Sequence, residues 1–249
     1  MLQPTPPRFL WFLTLTYSMI LMLSNWFEPR LISIGGINSS SGTLIFPFTF
    51  LLSDLITEVY GYKHARRAIW CGFLFNAVFF VYGQIVIHLP SPTYATNNAL
   101  FDKILAANTR MIIGSCISYL MAEPFNSFIM SKLKIKMQGR FVSVRFVSST
   151  IVSAGIDTSV FCAVAFFGTM SNANLLHFIM DMWIIKIMFE VIGLPISIYL
   201  VAKLKQVEQI DIYDRTTNFN VFSLNVDYSE KDNKFRADPA NNETVLSTN

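Results

Sequence analysis

Residues 176–202 read LHFIMDMWIIKIMFEVIGLPISIYLVA, apolar throughout except for Asp181, His177, Lys186, Glu190 and Ser197. A helix rises about 1.5 Å per residue, so crossing a hydrocarbon layer of about 30 Å takes roughly 20 mostly apolar residues. This stretch is long enough, and five others join it: Phe9–Phe27, Gly42–Tyr60, Ala68–Leu89, Met111–Met130 and Phe146–Phe167. The whole chain agrees. Of its 249 residues 53% are hydrophobic and 14% charged, with a mean hydropathy of +0.45, whereas a soluble domain carries about 25% charged residues. That balance excludes an ordinary soluble domain, a disordered chain, a collagen and a disulfide scaffold. The expected fold is all-α: a polytopic membrane protein of six transmembrane helices spanning residues 1–207, in the cell (inner) membrane. A cytoplasmic polar tail, 208–249, is expected to be largely disordered after about Asp227.

Lysine and arginine in short loops set orientation. With the N-terminus inside, the inner loops hold Arg8, Lys63, Arg66, Arg67, Lys132, Lys134, Lys136, Arg140, Arg145, Lys203 and Lys205; the outer loops hold Arg30, Lys103 and Arg110. The reading is N-in and C-in. Residues 1–207 carry 15 basic and 8 acidic side chains, and 208–249 carry 4 and 8. The basic excess is therefore topological and calls for no nucleic-acid partner. The first span lacks a small-residue cleavage site at Asn25-Trp26-Phe27-Glu28 and reads as a retained helix.

An ionisable group near the bilayer centre costs about 2.5–3.5 kcal/mol on insertion scales, yet the spans contain Asp54, Glu58, Glu123, Asp157, Lys186 and Glu190. Asp54 and Glu58 are i,i+4 and share a helix face. Lys186 and Glu190 have the same spacing and could pair within their helix. Glu123 and Asn126 are i,i+3; Thr150 and Asp157 are i,i+7. Four helices thus present polar stripes that must face one another or a wet cavity. Pro47, Pro124 and Pro195 interrupt three of these spans, and broken helices beside polar stripes build midplane sites in transporters. As purely structural readings, Glu58 could reach toward Lys63, Arg66 or Arg67, and Asp181 sits near the outer interface. Phe46, Phe48, Phe125 and Phe161 are candidate pocket walls.

Cys71, Cys116 and Cys162 lie in apolar stretches without CxxC spacing and read as buried hydrophobes. His64, His88 and His177 have no ligand spacing, so no metal or cofactor is expected. GxxxxGK[ST], HExxH and GxSxG are absent, which argues against an enzyme. An intramembrane acid pair of Asp54 and Asp157 lacks the GxGD signature of such proteases.

The run Phe46-Pro47-Phe48-Thr49, Ser53-Asp54, Glu58-Val59-Tyr60-Gly61-Tyr62-Lys63 and Ala65-Arg66-Arg67 resembles the queuosine precursor transporter family, in the vitamin uptake transporter group. The likeness continues through Glu123, Asn126-Ser127-Phe128, Arg145, Ser149-Thr150, Asp157, Lys186, Glu190 and Pro195, and ends with Asp211-Ile212-Tyr213-Asp214 and Asn218-Phe219-Asn220. It covers about residues 10–224. The chain departs from the family pattern at Ser148, at Ser153-Ala154 and at Pro124.

The resemblance implies uptake of a small 7-deazaguanine (preQ0, preQ1 or the base queuine) for tRNA modification, by a homo-oligomer or with coupling subunits. The alternative is the substrate-binding subunit of an energy-coupling-factor-type transporter with separate ATPase partners. The residue chemistry is compatible with such a ligand. A guanine-like edge offers adjacent N–H donors to a carboxylate, and its carbonyl suits an amide, a hydroxyl or a lysine. The candidate binding residues are Asp54, Glu58, Glu123, Asn126, Thr150, Asp157, Lys186 and Glu190.

Overall fold

The computed structural model describes residues 7–92 and 94–237. Six helices follow in order: α1 (Leu10–Phe27), α2 (Pro47–Tyr60), α3 (Tyr62–Ile87), α4 (Asn98–Lys136), α5 (Val142–Phe166) and α6 (Asn172–Glu208). Each, with the turn before α2 included, is long and apolar enough to cross a membrane. The bundle is apolar outside, and its interior combines an apolar core, with Leu21, Phe50, Ile56 and Phe146 in it, with buried polar groups. Trp11, Leu15, Leu74, Val78, Val81, Ile192 and Ile196 are exposed, while Asp54, Glu58, Glu123, Asn126, Arg145, Lys186 and Glu190 are buried. An exposed apolar belt this continuous belongs against lipid rather than water.

The start of α1 and the end of α6 meet at one end of the bundle. The Glu208 carboxylate accepts hydrogen bonds from the backbone N–H groups of Arg8 (2.9 Å) and Phe9 (2.8 Å) and from the Tyr60 hydroxyl (2.6 Å). An acidic group there satisfies the unpaired amides that precede α1 and complements the helix dipole. We call this the basic end, because Lys63, Arg66, Lys134, Arg145 and Lys205 cluster near it.

The opposite end carries a two-stranded antiparallel hairpin, β1 (Leu31–Ile34) and β2 (Ile37–Ser40). Gly35 and Gly36 both have positive φ, 60° and 86°, as a tight two-residue turn requires. The all-α expectation overlooked this hairpin; its signal is Gly35-Gly36 between two apolar-polar alternations.

α2 is the most enclosed helix, with every residue from Ser53 to Tyr60 buried. This explains its modest hydropathy: it faces protein rather than lipid. Its span is split into a single 3-10 turn at Gly42–Leu44 and a helix that begins on Pro47, where a missing N–H costs nothing. Of the three spans expected to be broken or kinked at a proline, this is the one that is interrupted. Pro124 and Pro195 lie inside α4 and α6, which run through them.

After α6, residues 211–237 fold back across the basic end. Arg66 donates to the carbonyls of Asn218 (3.2 Å), Asn220 (2.8 Å) and Asn225 (2.6 Å), and Trp70 Nε1 donates to that of Val221 (2.8 Å). The disorder expected after about Asp227 does not describe Tyr228 to Asn233, which are docked: Tyr228 donates to Asp214 (2.6 Å), and Ile212 bridges Asn233. Residues 238–249 lie outside the described residues.

Candidate functional site

A column of buried polar side chains runs along the bundle axis in three layers. Nearest the hairpin, Glu28 accepts from Ser40 (2.6 Å), which also meets Thr43 (2.8 Å). Asn25 accepts from Ser115 (2.6 Å) and donates to Asn76 (2.8 Å). Deeper in this layer Lys186 Nζ lies 2.6 Å from Asp157 Oδ2 and 3.1 Å from the Thr158 hydroxyl, 4.6 Å above the Phe46 ring. Lys186 therefore pairs between helices with Asp157, and not with Glu190 one turn away as its spacing allowed. The crevice between Glu28, Phe161 and this ion pair has a free volume of about 10 Å³, room for one water molecule and not for a heterocycle.

The middle layer is built on α2, α4, α5 and α6. Asn126 Nδ2 donates to Asp54 Oδ1 (2.5 Å), and Ser153 donates to Asn126 Oδ1 (2.9 Å). These two contacts fix which way the amide points. Ser153 is one of the positions where the chain departs from the family pattern. Thr57 donates to Ser127 (3.1 Å), and the Tyr17 hydroxyl donates to that of Tyr119 (2.8 Å), which in turn donates to the Ile69 carbonyl (2.8 Å). Glu123 lies beside Ser53 and Tyr17; Glu190 and Glu123 both act on the charge of Asp54.

Among the described residues, Asp54 Oδ2, both oxygens of Glu123, both of Glu190 and the Thr150 hydroxyl are buried without a hydrogen-bond partner. Buried acceptors are almost always paired, and an unpaired one costs about 1–3 kcal/mol, more when charged. These atoms gather on α2, α4, α5 and α6 in the middle layer.

Toward the basic end, Glu58 lies 2.7 Å from Arg145, 2.6 Å from Lys205 and 3.8 Å from Lys134. Asp211, from the C-terminal segment, lies 2.7 Å from Lys134 and 2.8 Å from Lys205. Lys134 also donates to the Glu58 (2.5 Å) and Ile212 (2.6 Å) carbonyls. Burial acts to raise the Asp211 carboxyl; the Lys134 and Lys205 ammonium groups outweigh it and hold the group below its ordinary value. Glu58 thus does not reach Lys63, Arg66 or Arg67. It is fully buried, at the centre of a five-member ionic cluster that closes the column.

Of the sequence candidates, Asp54, Glu123, Asn126, Thr150 and Glu190 share the middle layer, Asp157 and Lys186 form the layer above it, and Glu58 the layer below. Phe46 and Phe161 border the upper layer, but Phe48 and Phe125 are 45% and 43% exposed and face outward. Asp181 accepts from the Asn38 backbone N–H (3.1 Å) at the hairpin. Sequence reasoning missed Glu28, Ser153 and the structural use of Lys134, Arg145, Lys205 and Asp211. In the sequence these three cations count as inner-loop charges, Arg145 belonging also to the family likeness.

Polar groups sealed at both ends by ion pairs, inside a bundle with an apolar exterior, suit a carrier that encloses its cargo. The comparisons point the same way. The model of a family described as "Putative vitamin uptake transporter" matches residues 40–201. A protein of Bacillus subtilis (strain 168) named "Probable queuosine precursor transporter" is 27% identical over 169 residues, covering 67% of this chain and 73% of that protein. No solved structure matches. A family match over most of the membrane part makes this chain a member of the vitamin uptake transporter family.

Proposed function

We propose that the chain imports a 7-deazaguanine precursor of queuosine across the inner membrane and holds it in the middle layer. The observation that carries this reading is the set of buried, unpartnered carboxylate oxygens on Asp54, Glu123 and Glu190 beside an amide fixed by Ser153. A guanine-type edge supplies N1–H and an exocyclic amine as adjacent donors, and a carboxylate accepts both at once. The relative from Bacillus subtilis supports the cargo class through its name.

In this reading the basic end faces the cytoplasm, following the lysine and arginine bias. The Glu58–Arg145–Lys134–Lys205–Asp211 cluster is the inner closure, and Asp157–Lys186 with the hairpin is the outer one. Import alternates between opening one and opening the other around a fixed site. The test is uptake of labelled precursor by cells that lack their own uptake protein. Asp54→Ala and Glu123→Ala abolish uptake while membrane expression is retained; normal uptake in both would refute the site.

A further inference from the structure

We propose that a cavity at the basic end is a phosphate-binding site, and that a phosphate group held there, on an anionic phospholipid or free in solution, clamps the C-terminal segment onto the bundle. The site stands apart from the middle layer and does not depend on what the chain carries.

The cavity has a volume of about 460 Å³, within the range of small-ligand pockets. One wall is the end of α4 and the turn after it, with Ile135 and Gln138; the other is the docked segment, with Tyr213, Arg215, Lys231 and Lys234. Tyr213 joins the two walls. It is buried, its ring lies 4.7 Å from the Lys134 ammonium, and its hydroxyl packs against Gly139, where a Cβ would leave it no room. Arg215 and the two lysines, remote from each other in sequence, converge here because the chain folds back across the bundle. The cavity holds one acid, Asp232, whose Oδ2 already accepts from the Ser229 N–H (3.0 Å) and hydroxyl (2.9 Å).

These three cations differ from the others of the basic end. Lys134, Arg145 and Lys205 are paired with Glu58 and Asp211, and Arg236 with Glu230. Among the described residues no carboxylate pairs with Arg215, Lys231 or Lys234, and the Arg215 guanidinium stands 5.7 Å from the Tyr213 ring. Like charges gathered in a concavity raise the local potential and draw in an anion. Phosphate suits this donor set. A guanidinium offers two parallel N–H groups to two of its oxygens, the ammonium groups serve the rest as point charges, and the Gln138 amide is a neutral donor beside them.

Depth brings phospholipid within reach. α4 is long and apolar enough to cross a bilayer and ends at Lys136. A cavity against Ile135 and Gln138 is therefore level with the headgroups of that leaflet, where each nearby lysine or arginine strengthens binding to anionic lipid about fivefold. Because the two walls belong to different parts of the chain, an occupied site opposes undocking of residues 211–237. It thereby holds Asp211 in the ion cluster with Lys134 and Lys205.

The test is amide exchange of the full chain in lipid nanodiscs. Protection over 211–237 is expected to be at least about fivefold higher in mixed phosphatidylglycerol–phosphatidylcholine discs, or with millimolar inorganic phosphate, than in phosphatidylcholine discs alone. A gain with phosphatidylglycerol only assigns the site to the lipid headgroup; an equal gain with inorganic phosphate assigns it to the free anion. The combined variant Arg215→Gln, Lys231→Gln, Lys234→Gln should lose the gain and match the parent in phosphatidylcholine, since these side chains hold no carboxylate. A control variant, Lys136→Gln, Arg140→Gln, Lys203→Gln, neutralises exposed cations outside the cavity and should keep the gain. No gain with either probe, a gain that survives in the combined variant, an equal loss in the control, or a segment already loosened in phosphatidylcholine by the combined variant would overturn the proposal.

Discussion

Lys186→Met leaves the Asp157 carboxylate buried with no cation, because among the described residues its ion-pair partner is the Lys186 ammonium 2.6 Å away. Both side chains are nearly inaccessible, at 3% and 5%, so solvent cannot take over the charge. Breaking a buried pair from one side costs about 3–5 kcal/mol. In a chain of this size each kcal/mol shifts the melting temperature by about 2–4 °C, so the single variant melts roughly 6–20 °C lower. Asp157→Asn leaves Lys186 stranded in the same way and falls by a similar amount. The double variant Lys186→Met with Asp157→Asn removes both charges together and lies close to the parent, since replacing a whole buried pair is often near neutral. The assay is thermal denaturation in mild detergent followed by fluorescence-detected size exclusion. The coupling between the two sites should be a few kcal/mol, well beyond what independent residues show. Additive losses in the double variant would refute the pairing, and so would an unshifted Lys186→Met.

Three further expectations concern the basic end. Asp211 is held below its ordinary carboxylate value of 3.8, so its contribution to docking of the C-terminal segment is fully present above about pH 3.8 and is lost as pH falls through the lower folded value; amide protection over 211–237, taken relative to the intrinsic exchange rate at each pH, should fall in that window, and Asp211→Asn should lower it already at pH 7. Arg66→Ala removes donors to three backbone carbonyls, and limited trypsin treatment should then cut at Arg215 or Lys231 at least several-fold faster than in the parent, with the helices left intact. Gly61 joins α2 to α3 at φ 84°, and a Cβ there would approach the Tyr228 hydroxyl at 2.5 Å and Ile212 Cγ2 at 2.7 Å; Gly61→Ala should cost about 1–3 kcal/mol and loosen the same segment, measured as lower thermal stability and faster cleavage together.

The bundle was legible because each spanning helix announces itself by length and apolar content, and these are local properties. The polar stripes were legible for the same reason: Asp54 and Glu58, or Glu123 and Asn126, share a face by spacing alone. Partners were not. The i,i+4 rule offers Glu190 to Lys186, but which residue a lysine meets depends on how α5 lies against α6, and Asp157 on the neighbouring helix wins. Glu58 shows a second reason. Its cations come from α4, α5 and α6, and one companion carboxylate, Asp211, comes from a segment whose composition resembles a solvated tail. Few apolar residues serve there because the segment docks through backbone carbonyls, on Arg66 and Trp70, as well as through Phe219 against Tyr62 and Phe128. The outward turn of Phe125 has a simpler origin, since it lies two residues from Glu123 and so about 200° round the helix.

The central proposal is that this chain carries a 7-deazaguanine across a bilayer through the middle layer. Its most direct test is the purified chain reconstituted alone into sealed proteoliposomes, given labelled preQ1 outside. The account predicts accumulation inside that saturates, is competed by unlabelled preQ1, and disappears in Asp54→Ala. Uptake no greater than in protein-free vesicles, with the reconstituted chain shown to be folded, would contradict it.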